Sequence, residues 1–151
     1  MTESGDPIAI IRRLVTAMEQ ADDATLRELY APDHIDHFHW HAPRPLPGSE
    51  EQPLLDRYEQ ADADDRRDFP DRRFTIEEQF ACGDRVVTVA TSHATHARSG
   101  LPVTERAIIV NRIVNGQIAE SWISADRLGM FQQLGVVEAT PGLFERADLT
   151  S

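Results

Sequence analysis

Cysteine is nearly missing from this 151-residue sequence: Cys82 stands alone, so neither a disulfide framework nor a thiolate metal cluster can hold the fold together. Basic residues are also scarce, 15 Lys+Arg against 26 Asp+Glu, and a formal charge of −11 disfavours nucleic acid and anionic membrane, which both need a basic face. No apolar run approaches the length that crosses a bilayer, and the opening stretch MTESGDPIAIIRRL lacks the charged, apolar, small-residue order of a signal peptide. The expectation is a soluble cytoplasmic protein. A chain of this length buries a sizeable core without covalent help.

The first half has helical spacing. Asp6-Pro7 combines a capping carboxylate with a proline where no N–H is needed, and Ile8, Ile11, Val15 and Met18 form one stripe after it. Asp22-Asp23 opens a second helical segment carrying Leu26, Leu29 and Tyr30, which Pro32 interrupts. A proline-rich loop follows, and Ser49 with Gln52 makes a capping box for a third helix bearing Leu54, Leu55 and Tyr58. The acidic run QADADDRRDFPD ends it and is expected to be exposed.

From Phe74 the period changes to two. RFTIEEQF and RVVTVATSHATH read as strands about the turn Cys82-Gly83-Asp84. TERAIIVNRIV and QIAESWIS pair across Asn115-Gly116, the strongest short hairpin signal, because both central residues of the turn need positive φ. A last helix, DRLGMFQQLGV, presents Leu128, Phe131 and Leu134. Helices followed by an antiparallel meander predict an α+β domain over residues 1–137 with a polar tail over 138–151. A strongly curved sheet with helices across its open side leaves a conical cavity suited to a small molecule.

Several separately spaced motifs, LYAPDHIDH, ACGDRVV, ATHARSGLPVTER and NRIVNGQIAESWISADRLGMFQQLG, resemble the SnoaL-like polyketide cyclase family over roughly residues 8–136. The resemblance implies the cone-shaped α+β fold of nuclear transport factor 2 and ketosteroid isomerase: a curved antiparallel sheet, three N-terminal helices, a short C-terminal helix and an enclosed cavity. It also implies a homodimer, and a cofactor-independent enzyme that closes or isomerises rings in small, largely apolar, polyketide-like substrates. Relatives hydroxylate, open epoxides or form ether rings, and a binding domain without turnover is a further alternative. The aldol cyclases of the family carry a histidine where this chain has Ile109 and an aspartate where it has Ile123, so catalysis must rest on other polar groups lining the same cavity.

Four of the six histidines lie in HIDHFHWH, His34 to His41. If the turn after Pro32 continues helically from Leu26 and Tyr30, His37 faces inward, with Asp36 to fix its tautomer. In an extended segment His37, His39 and His41 share one side, which invites a metal; no supporting carboxylate or thiolate completes a ligand set, so none is expected. His39, Trp40 and His41 then form the cavity rim or a lid. His96 matches a family motif and is taken as inward, because His93 three residues earlier must point the other way. Asp126, between the last strand and the last helix, either caps that helix or serves as acid or base against apolar walls such as Trp122 and Phe131. The predicted site is thus Asp126, His37, Asp36 and His96 for proton transfer, with Trp122, Trp40, His39, Tyr30, Tyr58, Ile109, Ile123 and Phe131 around the substrate.

Overall fold

In the computed structural model, residues 6–38 and 64–138 are described. The third predicted helix, Trp40, His39, Tyr58 and most of the tail lie outside them. Helix α1 (Pro7–Gln20) starts on Asp6, whose carboxylate accepts the Ile8 N–H at 3.0 Å. Helix α2 (Asp23–Leu29) starts on Asp22, whose carboxylate accepts the Thr25 N–H. Five strands follow, β1 (Tyr30–Phe38), β2 (Arg73–Cys82), β3 (Arg85–Thr95), β4 (Pro102–Val114) and β5 (Gln117–Ala125), and then helix α3 (Arg127–Gln133). They form one curved, unclosed sheet in the order β1-β5-β4-β3-β2. The hairpin signal holds: Asn115 and Gly116 have φ of 51° and 79°.

Strand β1 is added to the expected meander of β2 to β5 and replaces the expected helical turn after Pro32. It lies at the sheet edge, parallel to β5, while the other pairs are antiparallel. An edge strand tolerates Pro32, whose missing N–H would break a ladder on a central strand, and the pairing is irregular between Tyr30 and Ile35.

The helices cover one face of the sheet, termed the inner face. At one end Ile10, Ile11 and Leu14 of α1 pack with Leu29, Val86, Ile113 and Ile118. Full burial of residues such as Leu29, Val86 and Ile118 contributes roughly 1.5–3 kcal/mol each. At the other end Met130 of α3 packs with Phe69, Ala94 and Val103. Two expectations change there. Met130, not Leu128 or Phe131, is the buried residue of the last helix, and Phe69 in the acidic run is core. That run turns helical over 64–68, and its charges pair, Arg72 with Asp65 at 2.9 Å.

Candidate active site

Between the two apolar ends the inner face carries a polar band, and strand alternation decides its members. Asp36 is in register with Ser121, and Ser121 with Asn111, so these three and His34, two residues before Asp36, share the inner face. Ile35 and His37 turn outward. His34 Nε2 lies 3.0 Å from Ser121 Oγ, and Asn111 Nδ2 donates to the same oxygen at 2.8 Å. Asp36 Oδ1 is 3.6 Å from His34 Nε2, too long for a hydrogen bond, and the two side chains are only 2% and 1% exposed. The Tyr30 ring meets the His34 ring edge-on, centroids 4.7 Å apart.

Among the described residues neither Asp36 oxygen has a hydrogen-bond partner. Burial, with no cation to oppose it, pushes this carboxyl up to about 7. Burial also lowers His34, with nearby Glu120 opposing the shift and His37 adding to it. Near neutral pH the pair therefore holds an imidazole in its neutral form and a carboxyl divided between its acid and its anion.

Beside this band the face is aliphatic and small. Ile109 and Ile123 are paired in register and half-buried, next along the strands from Asn111 and Ser121, and Ala107 pairs with Ala125 beyond them. The two isoleucines thus flank the polar band, as walls suited to an apolar molecule.

The other predicted residues do not join it. His37 lies on the outer face, because residues 30–38 are a strand: its ring stacks on Trp122 at 4.8 Å and its Nε2 is 4.0 Å from Glu120. Trp122 is outward too, with the Arg85 guanidinium 4.7 Å from the centre of its ring. Asp126 is exposed and caps α3, its carboxylate accepting the Gly129 N–H at 2.9 Å. A side chain at Gly129 would collide with that carboxylate, so the glycine makes room for the cap. Phe131 is on the exposed side of the same helix. His96 follows β3 in the β3–β4 turn, its Nδ1 2.8 Å from Ser99 Oγ and its ring tilted against Phe69. It lies ten residues along from Val86, which pairs with Asn111, and thus about 30 Å of strand from the polar band.

His34 is the residue that sequence reasoning missed; reading HIDH as a strand would have found it, since His34 and Asp36 then share a face. A second buried carboxylate, Glu105, lies on the inner face near α3, paired with Arg127 at 2.9 Å. Burial raises it, against the pull of Arg127 and Arg72. A separate cavity of about 140 Å³ between the end of α1 and residues 65–74 is lined by Glu19, Arg66, Phe69, Arg72 and Phe74. No grouping of three or more metal-ligating side chains occurs among the described residues. The His37, His39 and His41 arrangement lies partly outside them.

The overall fold agrees with what known proteins show. The family model for SnoaL-like polyketide cyclases matches residues 8–134. The chain belongs to the SnoaL-like polyketide cyclase family. IdmH from Streptomyces antibioticus, a candidate polyketide cyclase, is similar with a TM-score of 0.74 at 28% identity, covering 87% of this chain and 99% of its own. AclR from Streptomyces galilaeus, a candidate hydroxylase, gives 0.75 at 20% identity over 93% and 88%. A candidate cyclase from Bacillus cereus gives 0.71 at 21% identity over 87% and 81%. No curated protein sequence matches significantly. On the inner face Ile109 and Ile123 are followed along their strands by Asn111 and Ser121, and Ser121 is in register with the buried Asp36.

Proposed function

We propose that this protein is a cofactor-independent acid–base enzyme that closes or isomerises a ring in a small, largely apolar, polyketide-like substrate. The buried, unpartnered Asp36 carboxyl beside His34 carries the reading. A group titrating near 7 is matched to both halves of a proton transfer, taking a proton from one substrate atom and returning it to another. His34 lies at its side as a neutral imidazole, and Ile109 and Ile123 cover apolar substrate surface. The 151 residues contain no lysine, so aldol chemistry through a lysine Schiff base is not open to them. The test is incubation with polyketide-like ketones and scoring for a product of unchanged mass. Wild-type protein is expected to form it and Asp36→Asn to lose it; equal turnover by both would overturn the assignment.

A homodimer is part of the same proposal. The outer face supports it, since Phe80 and Ile108 are 52% and 53% exposed there and Ile35 is 48% exposed. Sedimentation is expected to give about twice the chain mass of 17.0 kDa, and a monomer at micromolar concentration would refute it.

A further inference from the structure

The polar band has a direction built into its hydrogens. Asn111 Nδ2 can only donate, so Ser121 Oγ accepts at that contact. Its own hydroxyl hydrogen remains free to be donated to the other neighbour, His34 Nε2 at 3.0 Å. If Nε2 accepts that hydrogen it carries no proton of its own, and the neutral ring then bears its hydrogen on Nδ1. The unprotonated Nε2 then lies 3.6 Å from Asp36 Oδ1. A lone pair there offers a carboxylate nothing and disfavours its negative charge, whereas an N–H would stabilise it.

We propose that Asn111 and Ser121 are positioning residues that hold His34 in its Nδ1–H tautomer, so that the acid form of Asp36 is favoured over its anion and acts first as a proton donor to a substrate oxygen. The last clause rests on the function proposed above; the tautomer does not. It narrows the substrate to a molecule that presents a basic oxygen to this face, a ketone, enone or epoxide, in place of one that meets a resting carboxylate.

Of the surrounding charges, Glu120 and His37 act on His34 with opposite signs, and the others are turned elsewhere. Arg12 of α1 turns to Gln79, and Arg13 to Glu28 of α2. Arg27 of α2 is exposed, and Arg127 of α3 is held by Glu105. Glu120 of β5, with Arg112 of β4 bound to it, lies on the outer face, as do His37 of β1 and Arg85 of β3. Thr88 of β3, inward on the same face, donates or accepts but carries no charge.

Long-range proton–nitrogen correlation spectra of ¹⁵N-labelled protein near pH 8 read the tautomer without any substrate. Wild-type His34 is expected as Nδ1–H. Ser121→Ala removes the hydroxyl donor, and the ring is expected to populate Nε2–H, with the Asp36 carboxyl titration midpoint falling by about one pH unit, a tenfold change. Asn111→Asp turns a donor into an acceptor and should reverse the chain in the same sense, while Asn111→Gln, able to donate again, should restore the Nδ1–H form. A wild-type ring protonated on Nε2 would overturn the proposal. So would a Ser121→Ala protein, folded by its amide spectrum, with an unchanged tautomer and midpoint. If Ser121→Ala does not fold, the Asn111→Asp and Asn111→Gln pair decides by the same two signals. Loss of the proposed turnover function would appear only in the Asp36→Asn assay and leave these spectra as they are.

Discussion

Two carboxylate–imidazole pairs stand on opposite faces of the sheet edge formed by β1 and β5, and their environments set them apart. On the inner face Asp36 and His34 are 1% and 2% exposed; on the outer face Glu120 and His37 are 21% and 40% exposed. Asp36 has no hydrogen-bond partner among the described residues and is pushed up to about 7 by burial. Glu120 accepts a hydrogen bond from Arg112 at 3.0 Å, and that bond first, then the guanidinium charge, lowers it. Both pairs set a carboxylate beside an imidazole, and the shifts are opposite. Burial favours the protonated form of Asp36, whereas the Arg112 hydrogen bond favours the anion of Glu120, which lies beside Arg85, Trp122 and His37.

The comparison breaks most visibly in turnover. Asp36→Asn keeps shape and removes the titrating group, so the rate is expected to fall by about 10² to 10⁴, the usual contribution of a positioned acid or base. Glu120→Gln, the matching change outside, should leave the rate within about threefold. A similar loss from both would mean that the two faces do not differ as described.

Stability against pH sharpens it next. The folded Asp36 carboxyl lies above its unfolded value of 3.8, so between about pH 4 and 7 the native state holds more protons than the unfolded chain. Stability therefore falls as pH rises through that window, by up to a few kcal/mol from this group. Asp36→Asn should remove that slope and be the more stable protein at pH 8, by chemical denaturation at each pH. Glu120 has the reverse sign: its folded value is depressed, so its small contribution is present above the ordinary carboxylate range and lost in acid.

The smallest effect belongs to a carboxylate on neither face. Asp126→Asn replaces one good helix cap with another, so thermal or chemical denaturation should show a loss of a few tenths to about 1 kcal/mol. Its turnover should remain near wild type. A hundredfold loss there would move the chemistry to the other end of the sheet.

Local signals in the sequence were sufficient for most of the fold. The Asp6 and Asp22 caps, the Asn115-Gly116 turn and the period-two runs of β2 to β5 are decided by neighbours in the chain. The first strand was not legible, because apolar spacing from Leu26 to Tyr30 runs on as helix past Pro32, and what makes Tyr30–Phe38 a strand is its distant pairing with β5. That single change of period moves His37 outward and brings His34 inward. Trp122 was hidden by a different cause. The β4–β5 pairing slips between Arg112 and Ile113, so Ala119 is an extra residue and the phase set by buried Ile118 reverses before Ser121. Alternation counted from Ile118 puts Trp122 inside; the bulge puts Ser121 there.

The central claim is that one carboxyl on the inner face titrates near neutrality, and the most direct measurement is the carboxyl ¹³C titration of Asp36 from pH 3 to 9, assigned by its loss in Asp36→Asn. A midpoint about 7 is the result this structure predicts, with Glu120 titrating below its ordinary range in the same spectra. An Asp36 midpoint near 4 would contradict the account, since a carboxyl fully ionised at neutral pH could not be the proton donor on that face.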